Sequence, residues 1–251
     1  MKTRALVLFH GLLILLLPMS GAGAVDANQP DHESIHESYV LTPGASVEVS
    51  GISGPVEIET GRGDTADVTV TRSAPNHAEL QCGKVAIEQT SKGLRLRSET
   101  LCPVDHGVQH VVLELPRWAD LTLEFIAGDV RIGPTTGMVR LNSIAGHVVL
   151  AELRDARLTS LARGIELTVA GVGSRGIHLS SVVGGIDLGV RHGVDAEVAL
   201  TSVNGHVRSN SSGIRIASSE NGSDYRVMVG RGGDLISIVS VMGPVEVHRA
   251  D

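Results

Sequence analysis

Aromatic side chains are almost missing from this 251-residue chain: one Trp, two Tyr and two Phe make up 2% of it. Sugar-holding grooves depend on flat stacking faces, so the shortage argues against a polysaccharide-active enzyme. Basic side chains are in the minority as well. The formal net charge is −7; setting aside Lys2 and Arg4 at the N-terminus leaves 19 Lys and Arg against 28 Asp and Glu, a net charge of −9. Nucleic acid, whose phosphates need a basic face, is therefore not an expected partner. The same charge permits attraction to cationic peptides. No sustained 3.6-residue apolar period runs through the chain, which argues against helices. Past the N-terminus no apolar run approaches the ~20 residues of a spanning helix. No zincin pattern, lysine-bearing phosphate loop or Gly-x-Ser-x-Gly elbow occurs, so no cofactor is expected.

The N-terminus is the exception to the lack of apolar runs. Lys2 and Arg4 precede a nearly continuous apolar stretch, Ala5 to Leu17, and Ala22-Gly23-Ala24 is a small-x-small cleavage signature. Residues 1–24 read as a signal peptide, with cleavage before Val25 and export to the periplasm, cell surface or medium. No cysteine near the cleavage point offers a lipid anchor. Residues 25–38 carry little apolar content and are expected to form a flexible leader. The rest, 39–251, reads as a single domain.

Two cysteines, Cys82 and Cys102, lie in that domain. In an oxidising compartment such a pair reads first as a disulfide. Closing the intervening loop stabilises by roughly 3 kcal/mol on the chain-entropy model. A metal site would have to recruit His77, His106 or His110.

What the domain has in abundance is short apolar-x-apolar triplets. Leu121/Leu123, Val130/Ile132, Val139/Leu141 and Val148/Leu150 follow one another at nine-residue intervals. Ile165/Leu167, Ile177/Leu179, Ile186/Leu188 and Val198/Leu200 continue at nine or twelve. Period-two alternation with β-branched residues is the strand signature, so the protein is all-β. Glycine marks the beat: Gly128, Gly146, Gly164, Gly185 and Gly205 stand just before triplets and read as structural turns, using positive φ. A glycine spacing of roughly 18–21 residues suits one coil of a β-solenoid, with a less regular N-terminal β part from Tyr39 to Leu115. The competing architecture is an antiparallel β-sandwich.

The phrases "SIAGHVVL" (Ser143–Leu150) and "SVNGHVRS" (Ser202–Ser209) raise His147 and His206 as ligands. Asp129 and the prolines Pro55 and Pro244 fill the same slot elsewhere, so the slot reads as a line of a repeat and not as a metal site. Arg62-Gly63-Asp64 spells an integrin-binding tripeptide but also makes a good turn. His106 and His110 have helical ligand spacing in a segment leading to a strand. "AGVGSRG", Ala170 to Gly176, reads as repeat turns. Asp129, Glu166 and Asp187 fall on different rungs, where carboxylates could align on one external face as in β-helical polysaccharide enzymes.

The export signal, "VEVSGISGPVEIETGRGDTADVTVT", "VVLELPRWADLTLEFIAGDVRI" and the G-x-V-x-L run together resemble the bacterial putative adhesin domain family, which is related to head domains of autotransporter-like adhesins. The step "LELP" (Leu113–Pro116) followed by "AGDVRI" (Ala127–Ile132) carries the resemblance best, and it extends over about residues 39–249. It implies a β-helical exported envelope protein and brings no catalytic motif. The expected function is non-enzymatic adhesin-like binding or scaffolding, with a protein or an envelope surface polymer as partner. An envelope-stress accessory that meets cationic peptides and a polysaccharide-active enzyme are the alternatives.

Overall fold

The computed structural model describes residues 30–103 and 107–250. The signal-peptide reading of 1–24 and the start of the leader lie outside these residues, as does His106. The chain opens with β1 (Asp31–Val40), β2 (Ser46–Ser50), β3 (Val56–Gly61), β4 (Thr65–Ala74) and a single helical turn, α1 (His77–Leu80). β5 (Gly83–Thr90), β6 (Gly93–Thr100) and β7 (Val108–Pro116) follow. Next come β8 (Asp120–Ile126), β9 (Val130–Ile132), β10 (Met138–Ile144) and β11 (Val148–Leu153). β12 (Asp155–Leu161), β13 (Ile165–Val169), β14 (Ile177–Val183) and β15 (Ile186–Arg191) keep the same rhythm. The last strands are β16 (Ala196–Asn204), β17 (Val207–Arg208), β18 (Ile214–Ser218), β19 (Tyr225–Val229), β20 (Asp234–Met242) and β21 (Val245–Ala250).

These strands form two large mixed sheets around one apolar core. The ten-stranded sheet has the order β1-β4-β7-β3-β9-β11-β13-β15-β21-β17, and the eleven-stranded sheet β18-β19-β16-β20-β14-β12-β10-β8-β2-β6-β5. From β8 to β15 successive strands alternate between the sheets, and each of β8 to β13 pairs in parallel with the strand two places on. The triplets explain why: outer apolar residues point inward and the middle one outward. Val130, Val148, Ile165 and Ile186 stand in one line of register, as expected, and each is at most 2% exposed. The pairing steps Val130↔Val148, Val148↔Ile165 and Ile165↔Ile186 follow the glycine beat. Two sheets over a shared core give the layering of a sandwich, while antiparallel pairing is confined to the ends, in β1–β4–β7, β5–β6 and β16–β19–β18.

Strand order departs from chain order at both ends. The first long pair, β2 and β3, lies between β6/β7 and β8/β9, and the last pair, β20 and β21, lies between β14/β15 and β16/β17. The pair that follows β1 and the last pair of the described chain are thus built into the interior of the sheets, while β1 itself lies at an edge.

The leader expectation is corrected from Asp31 onward. Residues 31–38 belong to β1, which pairs antiparallel with β4 from Asp31↔Ala74 to Val40↔Thr65. An edge strand is held by backbone hydrogen bonds and can remain polar on its outer side, so low apolar content did not keep this one from ordering. Glu33 pairs with the buried Arg72, and Ser38 donates to Asp67 at 2.5 Å. Cys82 and Cys102 form a disulfide with Cα atoms 5.1 Å apart, joining the end of α1 to the segment after β6.

The glycine reading also changes. Of the five predicted turns only Gly164 has positive φ, at 99°. Gly128, Gly146 and Gly205 are required by crowding: an added Cβ would lie 2.2 Å from Gly54 C, 2.2 Å from Gly128 O and 2.1 Å from Gly243 O, respectively. These glycines stack on the backbone of the adjacent turn. At the "GG" step the packed residue is Gly184, φ 105°, while a Cβ on Gly185 would meet Pro244 O at 3.3 Å.

The positive-φ role falls mainly on other residues. Phe125, Ser143, Ser160, Ser181, Ser240 and Ser202 have φ of 56–58° and form one line across β8, β10, β12, β14, β20 and β16. A left-handed residue inserts an extra outward position, so burial resumes three residues after the last triplet, as from Leu141 to Ile144. The strand bends there toward the other sheet.

Candidate binding face

The middle residue of each triplet points away from the core, and parallel register places these residues in lines. On the ten-stranded sheet one line runs Glu57, Arg131, Val149, Glu166, Asp187, Glu246, Arg208. Adjacent members lie about 4.8 Å apart, the strand spacing. Three consecutive members, Glu166, Asp187 and Glu246, are carboxylates. Glu166 and Asp187 are exposed, as expected of outward positions. They border an open groove of about 250 Å³ that also meets His147, Arg163, Arg208 and Pro244. A second groove of about 360 Å³, on the same face, is lined by Glu57, Arg131, Pro134 and Val149.

Each of the three carboxylates has a basic neighbour. His147 Nε2 is 3.8 Å from Glu166 Oε1, His248 Nδ1 is 2.9 Å from Asp187 Oδ1, and Arg208 donates to Glu246 Oε2 at 2.8 Å. Such exposed pairs contribute little to stability, about 0–1 kcal/mol each, so the face is free to exchange partners.

The outward line on the eleven-stranded sheet has a different character. It runs Arg95, Glu48, Thr122, Arg140, Arg157, His178, Ser237. Arg95 donates to Glu48 at 2.9 Å, and Arg157 has no ion-pair partner among the described residues. Beside this line Asp120 accepts from the Met138 amide at 2.8 Å and from Arg175 Nη1 at 3.0 Å, with Arg140 at 3.7 Å. Burial pushes the Asp120 carboxyl up, but the Met138 N–H and the Arg175 and Arg140 guanidinium groups outweigh it and hold the pKa below the ordinary value.

The structure separates the other candidates. Asp129 is not in the carboxylate line; its side chain accepts the His147 amide at 2.8 Å in the turn before β9. His147 and His206 stand before β11 and β17, with β13, β15 and β21 between them. Their slot has a backbone task. The carbonyls of Asp129, His147, Gly164, Gly185, Pro244 and His206 each accept the first amide of a neighbouring strand, and that of Pro55 accepts the Val111 amide within β7. The C=O is the use all these positions share, which is why His, Asp, Pro and Gly are all tolerated; at the Asp129–His147 step the Asp129 side chain and the His147 N–H are used as well. His110 lies on β7, with Nε2 3.4 Å from Glu57 Oε1. Among the described residues no group of three or more His, Cys, Asp and Glu could hold a metal ion. Arg62, Gly63 and Asp64 form the exposed turn between β3 and β4. In the Ala170–Gly176 loop, the Arg175 amide donates to the buried Asp155 carboxylate at 2.8 Å, and a Cβ on Gly173 would fall 2.2 Å from the same carboxylate. That loop cradles the protein's own side chain.

Two features escaped the sequence reading. Glu246 completes the carboxylate line, but β21 lies far along the chain from β15, and Glu246 meets Asp187 only through the displaced last pair. The left-handed serines stand in "NSI", "TSL", "SSV", "TSV" and "VSV", each followed by a glycine two or three residues after the final apolar residue. A serine there signals a left-handed residue only once the bend between the sheets is seen.

No family model and no curated protein matches the chain. Solved structures do. A putative cell adhesion protein from Clostridium sporogenes is similar over 87% of this chain and 100% of its own, at 11% identity and TM-score 0.43. A putative adhesin from Bacteroides fragilis matches over 86% and 97%, at 11% identity and TM-score 0.35. A putative lipid binding protein from Parabacteroides distasonis matches over 87% and 97%, at 8% identity and TM-score 0.31. No residue role is carried over from them. Among the described residues no helix is long and apolar enough to cross a membrane.

Proposed function

We propose that the chain is an exported, non-enzymatic envelope protein, wound as a β-solenoid, that binds another macromolecule in an adhesin-like or scaffolding manner through the outward face of its ten-stranded sheet. The observation that carries this reading is the in-register line Glu166–Asp187–Glu246 beside open grooves. A line repeated at strand spacing offers a partner several equivalent contacts on a rigid support. The parallel pairing of alternate strands supports the solenoid winding, and the Cys82–Cys102 disulfide and the N-terminal apolar run support export.

The test uses purified protein and envelope fragments. The wild type should be retained on them, and Glu166→Lys with Asp187→Lys should be retained at least tenfold less, while Arg157→Glu on the other sheet should change little. Equal retention of all three would remove the assignment to this face. The carboxylate line also favours a second reading, cationic peptide as the partner. Poly-lysine binding that weakens steeply with salt and disappears in the same double variant would select it.

A further inference from the structure

We propose that this chain stacks on copies of itself, the outward face of the eleven-stranded sheet of one copy docking on the outward face of the ten-stranded sheet of the next. The proposal deepens the binding assignment above and rests on it, because it names a second copy as a partner of that same face.

The argument is charge complementarity between two lines that share one spacing. Both run across parallel strands, so both repeat at about 4.8 Å. The basic side chains Arg140, Arg157 and His178 stand on β10, β12 and β14; the carboxylates stand on β13, β15 and β21. A copy translated by one strand along the stacking direction therefore faces Arg140 with Glu166, Arg157 with Asp187 and His178 with Glu246. The same offset continues without conflict beyond these three. It sets Glu48 against Arg131 and Arg95 against Glu57, with Thr122 over Val149 and Ser237 over Arg208. Every charged pair along the line is of opposite sign. With no offset, Glu48 would face Glu57, a like-charge contact.

The chain's overall negative charge does not forbid this. At 0.1 M salt the screening length is about 10 Å, so the facing surfaces dominate over the distant monopole. Arg157, which lacks an ion-pair partner among the described residues, has the most to gain, and the groove beside Glu166, Asp187 and Glu246 receives the incoming guanidinium groups. A translation brings unlike patches together and does not close on itself, so the product is an open stack.

Two charge-reversal variants test this. One carries Arg140→Glu and Arg157→Glu; the other carries Glu166→Lys and Asp187→Lys. Both replace exposed residues, and circular dichroism verifies their folding. In sedimentation at about 50 mM salt the wild type should grow beyond a dimer with concentration, and at about 500 mM it should return to a monomer. Each variant alone should stay monomeric, since one face of every contact is reversed. Mixed, they should pair and grow again as an alternating stack, because the first variant's carboxylate face meets the second's cationic face, and the two reversed faces also meet with opposite signs, merely exchanged. A monomeric wild type at low salt, growth of either variant alone, or a mixture without pairs would overturn the proposal. Monomeric wild type with envelope retention still lost in the carboxylate variant would end self-stacking and leave the binding assignment standing. Pairing in the mixture with unchanged retention would do the reverse.

Discussion

Single residues show how differently two glycines can be used. Gly146 sits with its Cα hydrogen against Gly128 of the adjacent turn, and a methyl group there would lie 2.2 Å from the Gly128 carbonyl oxygen. A Cβ on Gly193 would meet nothing within 4 Å, and only its φ of 85° favours glycine. Gly146→Ala should therefore cost about 3 kcal/mol by forcing two turns apart, while Gly193→Ala should cost about 1 kcal/mol of local backbone strain. Thermal melts of the two variants measure the difference, and equal shifts would show that the glycine column is not close-packed. The histidines lie at the other extreme. Because their slot contributes a carbonyl, replacing His147 and His206 together with Asp should change stability by less than about 1 kcal/mol. A large fall in melting temperature would mean that the imidazoles matter. The sequence made the slot legible, since a position filled by His, Asp and Pro alike has no side-chain role common to all of them. It did not show why the glycines are needed, because close approach between turns involves residues distant in the chain.

At the scale of the element, a strand is held by the apolar residues it turns inward and by the polar contacts at its entry. Val148 is 0% exposed and stacks between Val130 and Ile165. Val148→Asp should bury an unpaired carboxylate and cost several kcal/mol, about 3 or more, whereas Val149→Asp, one position on and outward, should cost less than about 1 kcal/mol. Chemical denaturation of both variants tests whether alternation is correctly assigned. Asp120 supplies the entry contact for β10, and its folded pKa is lowered. The stability it contributes is therefore fully present above the unfolded carboxylate value, about pH 4, and is lost as pH falls through the folded value. The group is partly exposed, so the effect is small, within about 1 kcal/mol. Asp120→Asn should leave a shallower loss of stability with acid below about pH 4, and an unchanged acid slope would place the sensitivity elsewhere. Alternation was plain in the triplets. The polar entry contacts were not, since Met138 and Arg175 reach Asp120 from other turns.

At the scale of the whole molecule, the regular beat concealed the order in which the strands assemble. Ile236/Ile238 and Val245/Val247 look like any other triplets, so nothing local indicates that β20 and β21 enter between pairs already made. The choice is made by what each edge lacks. β14 and β15 end the regular series with free edges, while β16, tied antiparallel to the β19–β18 hairpin, offers a second free edge one strand spacing beyond. The last pair fits between them, with parallel partners on both sides: β20 on β14 and β16, β21 on β15 and β17. These contacts are far apart in sequence, and their closure entropy must be met before any apolar burial is gained. It follows that the last segment acts as a keystone. Ending the chain before Asp234 should remove Ile236, Ile238, Val245 and Val247, all fully buried, and leave β16 to β19 with no sheet to join. By contrast, replacing the β18–β19 hairpin with a short Gly/Ser linker removes only an outer edge. In urea the keystone truncation should lose its cooperative transition or retain one only for the part before β16, with rapid proteolysis after Arg191. The hairpin replacement should keep a single transition at lower midpoint. If the truncated chain unfolded as cooperatively as the intact one, β16 would have to pair directly with β14, and the inserted order would not be what holds this end of the molecule together.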